Sequence, residues 1–284
     1  MTWFEERLYD HWRQSFLVEE VLFREQTEFQ DLIIFKSRKF GRVLALDGVI
    51  QVCEGDEFVY HEMLAHVPLL AHGAVRDVAV VGGGDGGILR EALKHPIERA
   101  TLIEIDPGVI EMCRRYMPGI SAGAYDDPRV EVVIADGVDY MSKPGRLFDV
   151  IVIDSTDPIG PGEVLFTETF YADCKKRLKP RGIVVNQNGV PFLQDEELRS
   201  THAKLKGLFA DASFFVAAVP TYVGGLMTLG WGTDDPTHRQ HAAAEIDRRF
   251  QAHPFPTRYW NPDLHAASFA LPQFVRDSMA RGTS

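Results

Sequence analysis

The chain has 284 residues, with 30 Lys and Arg against 41 Asp and Glu for a formal net charge of −11, and a 45% hydrophobic composition that supplies an ordinary globular core. The acidic balance argues against a nucleic-acid partner. No apolar run approaches the ~18 residues of a membrane span. Three scattered cysteines (Cys53, Cys113, Cys174) suggest neither a disulfide framework nor a thiolate zinc site, and the acidic, aromatic start MTWFEERLYD is unlike a signal peptide, so a soluble cytoplasmic protein is expected.

In chain order, residues up to about Val52 read as β. Phe29–Phe35 and Phe40–Leu46 are apolar runs, and Asp47-Gly48 is a hairpin turn signal ahead of Val49–Val52. Two turn-linked strands cannot bury both faces alone, so this segment must lean on another sheet, a neighbouring domain or a second subunit. From Asp56 to about Ala71 the apolar positions Phe58, Met63, Leu64, Val67 and Leu70 fit an amphipathic helix. Strands and helices then alternate. Strands are expected at 78–81, 101–105, 130–134, 148–153 and 182–185, with a helix through 88–93 and Pro107 in the first turn of another. The runs 214–217 and 225–229 leave no room for a helix between them and form an antiparallel pair. Five crossover strands and this pair make a seven-stranded, mostly parallel α/β sheet covered on both faces. The expected division is 1–56 as a small β domain and 57–284 as the larger one. The tail from about Thr233 carries no legible chemical signature.

Gly82-Gly83-Gly84-Asp85-Gly86-Gly87 follows a strand and opens a helix, satisfying G-x-G-x-x-G through Gly82, Gly84 and Gly87. Glu104 lies 104 − 82 = 22 residues on, at the end of the next strand, where an acid accepts ribose hydroxyls. A carboxylate at Asp85, inside the loop, opposes a pyrophosphate and suits a cationic nucleoside such as a sulfonium. It is equally a helix cap, and one side chain can serve both uses. Asp136-Gly137 ends the third strand at the same crevice, where an Asp can accept from an adenine amino group. Asp154 and Asp157 end the fourth, ahead of a Pro/Gly-rich loop. Like charges placed together call for a cation. Magnesium is one candidate, although no phosphate-binding Lys or P-loop accompanies the pair; an organic diamine is the other. His61-Glu62-Met63-Leu64-Ala65-His66 fails the zinc pattern H-E-x-x-H by one residue, so no metal is expected.

Taken together, these motifs resemble the polyamine aminopropyltransferases, most closely the bacterial spermidine synthases. The match runs through Gln30-Asp31-Leu32-Ile33 (with Phe29 where the family has Tyr), Ala45–Gln51, Asp56–Met63, Gly82–Gly87, Glu104-Ile105-Asp106, Asp154–Phe166, Asn186–Val190 and Pro220-Thr221-Tyr222. It departs at Val52-Cys53-Glu54-Gly55. The resemblance implies an N-terminal β domain followed by a methyltransferase-like Rossmann domain. It implies aminopropyl transfer from decarboxylated S-adenosylmethionine (S-adenosylmethioninamine), a co-substrate rather than a cofactor, to putrescine. Asp154 would then be the proton acceptor, with Tyr60 holding the attacking nitrogen. His61, Asp85, Asp154, Asp157 and Tyr222 would line the polyamine site. Gln30, Gly82, Gly84, Asp85, Glu104, Asp136, Gly137 and Pro161 would bind the nucleoside, and residues 158–162 would form a gate. A homodimer is expected, with a homotetramer as the alternative. The competing readings are another polyamine acceptor, an S-adenosylmethionine-dependent methyltransferase, and a non-catalytic polyamine sensor.

Overall fold

The structure, a computed structural model, describes residues 2–157 and 160–282. The N-terminal segment forms β1 (Thr2–Glu5) and β2 (Ser15–Val18), an antiparallel pair, then β3 (Glu20–Gln26), β4 (Asp31–Ser37), β5 (Gly41–Leu46) and β6 (Val49–Cys53), a four-stranded antiparallel sheet in sequential order. Asp47 and Gly48 both take positive φ between β5 and β6, as a two-residue turn matched to strand twist requires. Both faces of this sheet are covered. Leu32, Ile34, Leu44 and Val52 pack on Val109, Met112 and Met117 of the following domain, while Phe35, Val43, Ala45 and Ile50 pack on Phe16 and Phe4. The partner surfaces left open by the sequence are thus the neighbouring domain and the chain's own first hairpin.

α1 (Glu57–His72) leads into the larger sheet. Then come β7 (Asp77–Gly82), α2 (Gly87–Leu93), β8 (Arg99–Glu104), α3 (Pro107–Tyr116), α4 (Pro118–Ser121), β9 (Val130–Ile134), α5 (Gly137–Ser142) and β10 (Phe148–Asp154). α6 (Glu168–Lys176), β11 (Leu178–Gln187), α7 (Asp195–Leu208), β12 (Asp211–Ala217) and β13 (Met227–Thr233) complete the sheet. Its order is β12-β13-β11-β10-β7-β8-β9, with only the β11–β13 and β12–β13 pairings antiparallel. Alternate residues of each central strand face opposite layers. Val78, Val80, Val150 and Val152 enter one core, and Ala79, Val81, Ile151 and Ile153 the other. The last strand starts two residues later than the sequence suggests and runs to Thr233, because Gly224 and Gly225 take positive φ in the turn before it.

The tail after Thr233, for which no elements were expected, forms α8 (Ala243–Ala252), α9 (Pro262–Ser268) and α10 (Gln273–Arg281), which pack back on the domain. One expectation needs correction for that reason: α1 is not amphipathic. Buried positions run all round it, and its polar residues are paired inside the protein instead of facing water. Glu62 accepts from the backbone N–H groups of Arg258, Tyr259 and Trp260, each at 2.8 Å, and so ties the tail to α1. Glu62→Ala strands three donors and should cost about 3 kcal/mol. Urea unfolding would show a lower midpoint at an unchanged slope; a loss below ~0.5 kcal/mol would rule out Glu62 as the anchor.

Candidate active site

The strand order reverses between β7 and β10, and the carboxyl ends of these neighbours are where an open α/β sheet forms its ligand crevice. Gly82 of β7 lies in register with Asp154 of β10, and the Gly83 N–H donates to the Asp154 carbonyl at 2.9 Å. The glycine-rich turn is cut to fit the protein's own acids. A Cβ on Gly83 would lie 2.7 Å from Asp154 Oδ2, and one on Gly84 would lie 2.8 Å from Glu104 Oε2. Asp85 Oδ1 accepts from the Gly87 N–H at 2.6 Å, so its capping use is realised while the residue also lines the crevice.

Five carboxylates line this cavity (Glu6, Asp85, Glu104, Asp154, Asp157), and no Lys, Arg or His stands among the described lining residues. Burial, and then the charge of Asp85, push Asp154 up to about 6, although His61 and a Tyr60 hydrogen bond pull it back. Tyr60 donates to Asp154 Oδ1 at 2.5 Å, and burial raises its own pKa well above the ordinary phenol value, so it stays a donor. Burial, with Asp106 and Asp154 adding to it, moves Glu104 up to about 7. Asp157 is raised by burial and accepts from Gln194 Nε2 at 2.6 Å. Tyr222 packs edge-on against Tyr60 and donates to the Gln51 carbonyl on β6. Gln30 donates to Asp106, which also takes the Thr27 hydroxyl; this network joins the β3–β4 turn of the N-terminal sheet to the start of α3.

The structure gathers Tyr60, Asp85, Asp154, Asp157, Tyr222, Gln30, Gly82, Gly84 and Glu104 around one cavity. It does not bring His61, Asp136 or Gly137 to the cavity wall. His61 is buried behind Asp85 at 3.5 Å. Asp136 is exposed and caps α5 through the N–H groups of Val138 and Asp139, and Gly137 follows it beside Val81. Pro158, Ile159 and the side chain of Pro161 lie outside the described residues, and so do the gate and the nucleoside contact expected there. Sequence reasoning passed over Glu6, Tyr9 and Gln194. The first two lie on the N-terminal segment where it crosses the crevice, far from any motif. Tyr9 donates to Gln194 Oε1 at 3.0 Å and Glu6 Oε1 accepts from the Ile50 N–H at 2.9 Å.

Comparison with known proteins agrees with this geometry. The Spermine/spermidine synthase domain matches residues 57–241, and the Spermidine synthase tetramerisation domain matches residues 2–54. The chain belongs to the spermine/spermidine synthase family. Polyamine aminopropyltransferases of Escherichia fergusonii and Salmonella arizonae are 53% identical over 276 residues and 52% identical over 280. The alignments cover 97% of this chain and 96% of the first relative, and 98% of both chains for the second. A spermidine synthase solved in complex with the transition-state analogue AdoDATO superposes with a TM-score of 0.93 at 36% identity, covering 99% of this chain and 95% of that one. The spermidine synthase from Thermotoga maritima gives 0.90 at 35% identity, covering 98% and 94%. The seven-stranded sheet and its N-terminal β extension are therefore the spermidine synthase architecture.

Removing the Tyr60 hydroxyl takes away a hydrogen bond to the ionised form of Asp154. In Tyr60→Phe the Asp154 pKa should rise by roughly one unit, the equivalent of one hydrogen bond to a charge. Carboxyl carbon NMR titration of wild type and variant measures it; an unmoved midpoint would show that the bond does not tune Asp154.

Proposed function

We propose that this chain is a spermidine synthase, transferring an aminopropyl group from decarboxylated S-adenosylmethionine to putrescine to give spermidine and 5'-methylthioadenosine. The observation that carries the reading is the cavity lined, among the described residues, by five carboxylates and no basic side chain. Such a wall disfavours anionic ligands and favours a sulfonium donor and a diammonium acceptor. Glu104 and Gln30 suit the ribose, Asp85 the donor's ammonium, and Asp157 and Tyr222 the acceptor. Asp136, Gly137 and Pro161 are assigned to the nucleoside by the motif match alone. Asp85 also supplies the discrimination: the carboxylate of ordinary S-adenosylmethionine would be repelled there, and the amine left by decarboxylation attracted.

In the reaction the acceptor nitrogen's lone pair forms a bond to the methylene carbon attached to sulfur. The carbon–sulfur bond breaks with its electron pair going to sulfur, and the nitrogen sheds a proton to Asp154. An alkylammonium near pKa 10 stands about 4 units above Asp154, which corresponds to roughly 5 kcal/mol. Asp154 therefore does not hold the acceptor as a free amine at rest; most of the rate must come from alignment of nitrogen, carbon and sulfur in a dry site. Tyr60 orients the Asp154 carboxylate that takes the proton. No covalent intermediate is needed. We also infer a cytoplasmic homo-oligomer, a dimer as the minimal unit, joined through the N-terminal strands, where Trp3 and Val21 are exposed.

Mass spectrometry of products from putrescine with either donor tests the assignment. Spermidine and methylthioadenosine should form from the decarboxylated donor only, and Asp154→Asn should reduce the rate at least about a hundredfold. Wild-type kcat/KM should fall as pH drops through about 6, where Asp154 takes up the proton it must be free to accept. S-adenosylhomocysteine from the ordinary donor would instead establish a methyltransferase.

A further inference from the structure

α1 carries a buried acid, Glu57, for which the transfer scheme has no use. It stands one turn before His61, and its Oε2 lies 2.6 Å from His61 Nδ1. On the other side of the ring, His61 Nε2 lies 3.5 Å from Asp85 Oδ2. An imidazole flanked by carboxylate oxygens at both nitrogens is a donor at both. Arg90 closes the back of the arrangement: its guanidinium reaches Glu57 Oε2 at 2.7 Å and Oε1 at 3.3 Å, while its Nε lies 2.7 Å from Glu91 Oε1. The ring is also seated against the glycine-rich turn, since a Cβ on Gly87 would lie 2.1 Å from His61 Cε1. The third glycine of the motif therefore makes room for a histidine.

We propose that Glu57 is a positioning residue for the aminopropyl transfer: backed by Arg90, it fixes His61 as a doubly donating ring against Asp85, and so sets the orientation and charge of the acids that meet the substrates. This rests on the roles given above to Asp85 and Asp154. The groups facing His61 are Glu57 and Tyr60 from α1, Asp85 from the turn and Asp154 from β10, with Arg90 of α2 behind Glu57. Burial alone would push the His61 pKa down, but Asp85 and Glu57 outweigh it and hold the ring at about 10. Burial likewise works against an ionised Glu57, yet His61 and Arg90 keep it below the usual carboxylate range. The fixed cation then lowers Asp154 against the opposing effects of burial and Asp85. Asp85 Oδ1 takes the Gly87 N–H and Oδ2 faces His61 Nε2 at an ion-pair distance of 3.5 Å, so the carboxylate is already oriented when a cationic ligand arrives.

The test is nitrogen NMR of ring-labelled protein, with His61 assigned by its loss in His61→Asn. In wild type the His61 ring should remain cationic through about pH 9, and in Glu57→Gln its midpoint should fall by roughly one unit or more. In Glu57→Gln the loss of kcat/KM should grow as pH rises through the lowered His61 midpoint, where the ring gives up its charge beside Asp85, and Glu57→Asp, which keeps the carboxylate, should restore the wild-type profile. A neutral His61 ring at pH 8 in wild type would overturn the proposal. So would a Glu57→Gln variant that loses the same factor of kcat/KM at every pH. Should Glu57→Gln not fold, the wild-type ring titration decides alone, cationic in support and neutral against. The NMR measurement is independent of the reaction, so absence of spermidine with a cationic His61 would sink the assigned function and leave the Glu57–His61 clamp standing.

Discussion

Confinement of like charges governs this molecule. Five carboxylates share one cavity at the switch point of the sheet, two of them, Asp154 and Glu104, pushed to about 6 and 7 mainly by burial. Farther in, Glu197 is moved up to about 8 by burial and by Asp157, both acids leaning on the Gln194 amide. Burial and mutual repulsion favour the protonated forms of such an assembly, and a cationic ligand relieves that repulsion and displaces the protons to solvent, so charge complementarity sets ligand choice before shape does. The glycine-rich turn follows the same constraint, its missing side chains admitting Asp154 and Glu104.

α1 carries that constraint into the fold. With no face left to water, its polar residues divide the work: Tyr60 holds Asp154, His61 meets Asp85, Glu62 binds the tail, and His66 pairs with Glu91 and His95. Buried ionic groups cost desolvation energy and are tolerated when every partner is in place. The helix therefore couples site geometry to the packing of the C-terminal segment, and a change at its buried positions acts on both.

The N-terminal segment is part of the site as well as a sheet of its own. Glu6 and Tyr9 line the cavity, Gln51 receives Tyr222, Asp56 receives the Thr221 N–H, and Gln30 bonds Asp106 on the far side of the turn. These contacts tie both ends of the crevice to the small sheet. The crevice is thus closed by two separate stretches of sequence whose apolar faces meet at Leu32, Ile34 and Met112.

Strand and helix alternation, the glycine-rich turn and the acids at strand ends were readable from the sequence because each is a local signal: period, turn chemistry and spacing from one strand end to the next. Those signals sufficed for the parallel sheet, for Asp85, Glu104, Asp154 and Asp157, and for the resemblance that marks the family. The helical tail was not readable, because its helices are short and its anchor, Glu62, sits about 200 residues earlier. Glu6, Tyr9 and Gln194 were missed because they carry no motif and become neighbours only when the first hairpin folds over the crevice. Only tertiary packing decided that His61 stands behind Asp85 and that Asp136 caps a helix in the open, since direction and burial of a side chain depend on what the rest of the chain places against it.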